Sequence, residues 1–332
     1  MDSQLAAVVP LIPDLPFDDL EGTRRMVNEL VGSQSVDLRG VGVEDRAVPG
    51  PGGEVAVRIF VPDHDPGDRP AVLSIHGGGF AVGSMALDDG ANAALAREVG
   101  AVVVSVEYRL APEHPFPAAA DDCYAALVWM SEHAAELGVD PARIAVLGNS
   151  AGGGLAATTA LLARDRGGPR LAMQVLLEPE LDDRLETHSM RNGSATVGWS
   201  YAQATLSWAY YLGDVDAPPL HAAPARSQHL SGLPPAYVAV SELDCLRDEG
   251  LEYAVRLLHA GVATELHCWP GAFHGFQSLV PAARLSQRAN ASLHDALRGG
   301  LVCGDGGGQG DRRGHDGRRD RGGGRPPEEA LA

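Results

Sequence analysis

The sequence predicts an α/β fold in three layers, a mainly parallel sheet with helices on both faces. Three observations carry that expectation. Short runs rich in Val and Ile alternate with helix-length stretches across most of residues 40–298, the rhythm of strand–helix–strand crossovers. Most of these runs are continuously apolar rather than alternating, as strands buried on both faces require. A turn of small residues at 148–152 joins one such run directly to a helical pattern.

The chain enters through a stretch broken by Pro10, Pro13 and Pro16, followed by an amphipathic segment, Leu20–Val31. A weak strand signal at Val41–Val48 precedes a clear one at Glu54–Val61, whose Val, Ile and Phe suit a pleated surface. The apolar run Ala71–Ile75, a helix at Ala86–Glu98 and the valine run Ala101–Val106 come next. Ala118–Leu137 has the length and Ala/Leu content of a long helix. The strand Arg143–Leu147 leads into the helix Ala151–Arg164, and the strand Ala172–Leu177 follows. Residues 182–220 then break the rhythm with an insertion holding one aromatic helix, Tyr201–Leu212, near Trp199. Ordinary packing and a lid over a pocket are comparable readings of it. The alternation resumes with Ala236–Ser241 (strand), Asp248–His259 (helix), Ala263–Trp269 (strand) and Pro281–Leu297 (helix).

Composition excludes more than it assigns. The 332 residues allow one large domain or two ordinary ones. All 26 basic residues are Arg, which removes mechanisms that need a Schiff-base or phosphate-loop lysine. A net charge of −18 argues against nucleic acid or an anionic membrane as partner. Cys123, Cys245, Cys268 and Cys303 form no C-x-x-C pair and read as free thiols of a reducing compartment. The first residues lack a basic leader region, and no stretch reaches the roughly 18 apolar residues of a membrane span. A cytoplasmic protein is expected. Residues 299–332 hold 12 of the 41 glycines, with six Arg and six acids that cancel. Such a segment cannot bury enough surface to order itself, so the folded domain is expected to end at 298.

Two motifs carry chemistry. Gly148-Asn149-Ser150-Ala151-Gly152 is a G-x-S-x-G between strand and helix, a context that lifts a serine hydroxyl off the sheet and sets it before a helix N-terminus. His76-Gly77-Gly78-Gly79 follows another strand; consecutive glycines cost backbone entropy, so the backbone itself is expected to approach a ligand, as an oxyanion demands. A serine nucleophile needs a base and an orienting acid, in the chain order Ser, acid, His for this architecture. Of the later histidines, His259 and His294 lie in helical patterns, His267 in a strand and His315 in the tail; His274 alone follows the last strand in a loop. Asp244, at the end of Ala236–Ser241, is preferred over Asp182, Asp183 and Asp248, the last of these sitting where an acid ordinarily complements a helix dipole.

With Tyr108-Arg109-Leu110-Ala111-Pro112-Glu113, Asp244-Cys245-Leu246-Arg247-Asp248-Glu249-Gly250 and Phe273-His274-Gly275-Phe276 added in order, the chain resembles the hormone-sensitive-lipase-like branch of the α/β-hydrolases over about residues 70–280. The resemblance implies an eight-stranded sheet with a helical cap from about residues 1–40 and 182–220. It implies Ser150 as nucleophile, His274 as base, Asp244 as orienter, and the N–H groups of Gly77, Gly78 and Ala151 as oxyanion donors. His76, Gly79, Gly148, Asn149 and Gly152 would support them, and Arg109 and Glu113 would hold their loop. Neither metal nor organic cofactor is implied; the expected partner is a small ester, and a homodimer is common among look-alikes.

Two departures stand out. Asn149 occupies a position usually held by Asp or Thr, which bears on the pH profile. Glu178 and Glu180 flank Pro179 at the expected cap hinge, where two carboxylates would disfavour anionic substrates. The expected activity is hydrolysis of short- to medium-chain carboxylic esters. An amidase or carbamate hydrolase would use the same three residues. A non-catalytic receptor, as in plant hormone receptors similar to this family, would depart at one of them.

Overall fold

The computed structural model describes residues 1–33, 35–63, 67–193, 197–215 and 218–302. Every expected strand forms: β1 Val41–Gly50, β2 Gly53–Pro62, β3 Arg69–Ile75, β4 Val102–Glu107, β5 Val139–Asn149, β6 Met173–Leu177, β7 Ala236–Ser241 and β8 Thr264–Trp269. They make one sheet in the order β1-β2-β4-β3-β5-β6-β7-β8. The β1–β2 and β2–β4 pairs are antiparallel; from β4 through β3 to β8 every pair is parallel.

The helices, in chain order, are α1 Ser3–Ala6, α2 Leu20–Gly32, α3 Asp89–Val99, α4 Ala118–Glu132, α5 Ala134–Leu137, α6 Ala151–Asp165, α7 His188–Asn192, α8 Tyr201–Leu212, α9 Arg247–His259, α10 Phe276–Leu279 and α11 Arg284–Gly300. The period-2 alternation of strand side chains explains why the sheet needs cover on both faces. Leu73, Val104 and Val146 point into the layer with α4, α6 and α9, while Val72, Val103 and Ala145 point into the layer with α3 and α11. Valine-rich strands therefore feed two cores at once. The parallel arrangement also gathers the loops after β3, β5, β6, β7 and β8 at one edge, where open α/β sheets place their sites.

Three expectations change. The single helix Ala118–Leu137 is interrupted at His133, and α5 ends at Gly138 in the left-handed conformation. Among the described residues, the insertion after β6 holds a short helix, α7, ahead of the expected aromatic helix, which forms as α8. The folded body runs past 298: α11 continues to Gly300, Leu301 is buried, and Arg143 Nε donates to the Leu301 carbonyl at 2.6 Å. Met1–Val302 is one unit; the rest of the expected tail lies outside the described residues, as does Cys303. Among the described residues no helix is long and apolar enough to cross a membrane.

The cap is stitched from the N-terminal segment and the insertion. Tyr210 of α8 donates its hydroxyl to the Phe17 carbonyl at 2.9 Å, and Gln203 donates to the Leu15 carbonyl at 3.0 Å. From α2, Arg24 donates to the carbonyls of Ala81 and Ala111, at 2.8 Å each, and forks onto Glu113 at 2.7 Å. Arg109 instead grips the buried Asp122 with both ends of its guanidinium at 2.8 Å. Arg109 and Glu113 hold their loop from opposite sides, each through a partner elsewhere.

The burial of Leu301 sets a boundary that truncation tests. A chain ending at Arg298 forfeits about 2 kcal/mol of apolar burial together with the Arg143 hydrogen bond. It is expected to melt several degrees below a chain ending at Val302. Equal melting temperatures in calorimetry would return the boundary to 298.

Candidate active site

The turn after β5 puts Ser150 at φ 57° and ψ −123°, a left-handed conformation that costs a side-chain-bearing residue about 1–3 kcal/mol. Hydrogen bonds on both sides hold it there. Ser150 N–H donates to the Leu177 carbonyl at 2.8 Å, and the Ser150 carbonyl accepts from Glu180 at 3.0 Å and Gly154 at 3.1 Å. The glycines of the motif are steric necessities. A Cβ on Gly148 would lie 2.0 Å from the Gly152 carbonyl oxygen, and one on Gly152 would lie 2.1 Å from that of Ile75. Both obstacles are backbone, so no rotamer relieves them.

The glycine loop after β3 lies directly against this turn. A Cβ on Gly77 would sit 3.0 Å from the Asn149 carbonyl oxygen and 3.4 Å from the Ser150 Cβ. His76 anchors the loop from beneath. It is fully buried, stacks on Tyr108 at 4.2 Å, and shares an Nδ1–carbonyl contact of 2.8 Å with Gly77. The Tyr108 hydroxyl donates to the His76 carbonyl at 2.9 Å. Burial pushes the His76 imidazole down to about 4, so it stays neutral. Above the loop, Phe17 and Trp199 meet edge to face at 4.9 Å, and a Cβ on Gly79 would strike both rings.

The three residues nominated from chain order meet at the carboxyl edge of the sheet. His274 Nε2 lies 2.9 Å from Ser150 Oγ, and His274 Nδ1 lies 2.7 Å from Asp244 Oδ2. The Leu246 N–H donates to Asp244 Oδ1 at 3.0 Å, fixing the carboxylate plane. Burial alone would depress the His274 imidazole, but the charge and hydrogen bond of Asp244, joined by the charges of Glu178 and Glu180, raise it to about 9. The rival acids are engaged elsewhere: Asp182 pairs with Arg184, Asp183 with Arg226, and Asp248 with Arg247 and the Ser189 N–H. His259 and His294 lie on α9 and α11, and His267 of β8 bonds Glu265 at 2.7 Å. His315 lies outside the described residues.

Glu178 is the residue whose position differs most from expectation. It follows β6 at φ 45° and is buried, facing the histidine loop rather than a substrate pocket. Its Oε2 accepts from Gly275 N–H at 2.7 Å and lies 3.9 Å from His274 Nδ1, while Oε1 accepts from the Ser241 hydroxyl. The only sequence signal was an acid immediately after a buried strand. Ligand atoms of Glu178, Asp244 and His274 fall within 4.8 Å of one another, a spacing compatible with a metal; the hydrogen bonds just described already occupy that cluster. Glu180 is fully buried beside α8, and neither carboxyl oxygen reaches hydrogen-bond geometry among the described residues. Burial pushes its carboxyl up to about 8, against the pull of Ser207 and His274.

A family model for the alpha/beta hydrolase fold matches residues 72–278. The chain belongs to the α/β-hydrolases. Its relatives narrow the branch to the hormone-sensitive-lipase-like enzymes. Esterase LipI of Mycobacterium tuberculosis is 40% identical over 312 residues, covering 90% of this chain and 96% of that protein. Carboxylesterase NlhH of the same species is 42% identical over 267 residues, with 77% and 83% covered. The solved structure of a bacterial heroin esterase superposes with a TM-score of 0.89 at 47% identity, over 91% of this chain and 98% of that one. This α/β-hydrolase is a carboxylic ester hydrolase.

Two measurements follow from the electrostatics. His274 accepts a proton only when neutral, so its raised pKa puts the acid limb of kcat/KM above the free-imidazole value of about 6.5; a limb at or below that value would contradict the assignment. Glu180 keeps its proton when folded and loses it when unfolded between pH 4.5 and about 8, so it erodes stability as pH rises through that window. Glu180→Gln removes this linkage, and its melting temperature relative to wild type is expected to climb from pH 5 to pH 8. A pH-independent difference would mean that the carboxyl titrates normally.

Proposed function

We propose that this carboxylesterase cleaves short- to medium-chain esters with Ser150 as nucleophile, His274 as general base and Asp244 as orienter. The single observation behind these roles is the continuous hydrogen-bonded chain from Ser150 Oγ through His274 to Asp244, at 2.9 and 2.7 Å. Ser150 attacks the ester carbonyl as Nε2 takes its proton, and Asp244 steadies the imidazolium that forms. The carbonyl oxygen becomes an oxyanion beside the N–H groups of Gly77, Gly78 and Ala151, each donor worth about 3–4 kcal/mol in the transition state. The imidazolium then protonates the leaving alkoxide, and the alcohol departs. Water activated by His274 hydrolyses the acyl enzyme and restores Ser150.

The reading of acyl-chain length is supported by the aromatic rings beside the glycine loop. Phe17 and Trp199 lie over Gly79, and Phe80 stacks on Tyr211 at 4.0 Å with Trp208 at 5.3 Å. Such rigid rings favour compact acyl groups over long flexible ones. The names of the relatives favour esters over amides or carbamates.

Hydrolysis of an aryl ester series of rising chain length tests the reading. Ser150→Ala is expected to lower kcat by roughly 10⁴- to 10⁶-fold, with the folded protein retained. Wild-type rates are expected to fall between medium- and long-chain esters. Near-native turnover by Ser150→Ala would remove the nucleophile assignment, and rates still rising at long chains would remove the size limit.

A further inference from the structure

The carboxyl edge of the sheet brings two buried acids, not one, to the histidine. Glu178 is the first residue after β6 and Asp244 the third after β7, and the loop after β8 carries His274 between their reach. The backbone of Glu178 is still tied to the sheet, since its N–H donates to the Ala239 carbonyl at 2.7 Å. Its φ of 45° is a strained value for a residue with a side chain, and such strain persists only where the surroundings enforce it. That conformation turns the carboxylate towards the histidine loop. One oxygen takes the Gly275 N–H, the neighbour of His274; the other takes the Ser241 hydroxyl.

Holding a loop does not need a charge. A neutral amide could take the Gly275 N–H on its oxygen and donate its NH2 to the Ser241 hydroxyl oxygen, without the cost of a second carboxylate buried beside Asp244. What distinguishes a carboxylate here is its distance from the imidazole: Oε2 lies 3.9 Å from Nδ1, while Asp244 Oδ2 holds that nitrogen at 2.7 Å. A shift of about 1 Å would bring Oε2 into hydrogen-bond range.

We propose that Glu178 is a second orienting carboxylate for His274, fixing the histidine loop through Gly275 and accepting a hydrogen bond from the Nδ1 N–H when Asp244 is removed. In the intact enzyme it is a positioning residue: it aims the loop and adds its negative charge to that of Asp244 opposite the imidazolium. This rests on the reading of Ser150, His274 and Asp244 as the catalytic set.

The test is a double-mutant cycle on the full chain, with a short-chain aryl ester as probe and thermal melts to confirm folding. Glu178→Gln keeps the shape and an acceptor for Gly275 but removes the charge; its kcat is expected to fall roughly tenfold. Asp244→Ala should cost roughly 10²-fold, well short of the roughly 10⁴-fold seen when a lone orienting acid is neutralised. Asp244→Ala/Glu178→Gln is expected to drop at least tenfold further. The titratable groups facing His274 are Asp244, Glu178 and Glu180, so Glu178→Gln should also move the acid limb of kcat/KM to lower pH, which loop-holding alone would not do. That profile carries the test if Asp244→Ala does not fold. Equal rates for Asp244→Ala and the double variant, or an unmoved acid limb in Glu178→Gln, would overturn the proposal. Activity surviving in Ser150→Ala would overturn the catalytic set itself and this proposal with it, and is distinguished by appearing in that control alone.

Discussion

At Ser150 the chain turns through a left-handed conformation that an L-residue adopts only under constraint, and the surrounding structure is arranged to maintain it. The carbonyl accepts from two N–H groups, the N–H reaches the end of β6, and the flanking glycines pack against backbone on both sides. Removing a side chain at Gly152 lets the Ile75 and His76 carbonyls approach, which is also what brings the glycine loop against the serine. Two motifs more than 70 positions apart in the chain thus share one contact surface. The strands β3 and β5 are neighbours in the sheet, so the packing of the core and the geometry of the site are set by the same register.

Electrostatics follows from that enclosure. Burying the serine also buries its proposed base, and a buried imidazole favours the neutral form unless negative charge compensates. Asp244 supplies that charge at hydrogen-bond distance, and Glu178 adds to it from the β6 side. There is no lysine in the chain, and Arg184, Arg226 and Arg24 are engaged by Asp182, Asp183 and Glu113, so this acidic cluster is arranged to stabilise an imidazolium on His274 when one forms. The acidity noted from composition has a local counterpart here, though most of the −18 lies on the surface.

The strands and the main helices were legible because each buries a face whose periodicity is written in consecutive residues. Ser150 and the glycine loop were legible for a related reason: their steric demands fall on adjacent positions. His274 and Asp244 emerged by chain order, since each sits just beyond a recognisable strand. Glu178 did not, although it also follows a strand. Read linearly it belongs to the hinge of the insertion; only the parallel pairing of β6, β7 and β8 shows that its neighbour in space is Gly275. The end of α11 was misjudged because Gly299 and Gly300 weaken helical propensity, while the contact that retains them, Arg143 to Leu301, spans 158 positions. The separate partners of Arg109 and Glu113 were hidden for the same reason.

The N-terminal segment and the insertion after β6 meet the glycine loop at a single small residue. Gly79 has no side chain because Phe17 and Trp199 occupy its space, and those rings come from the two segments that Tyr210 and Gln203 bind together. Arg24 ties the same N-terminal segment to the Ala81 carbonyl, just past the glycine loop. Displacing these rings therefore pulls on the loop that bears the proposed oxyanion donors. Under the proposed catalytic reading, changes on α8 reach the oxyanion loop as well, because Tyr210 and Gln203 hold the segment that carries Phe17.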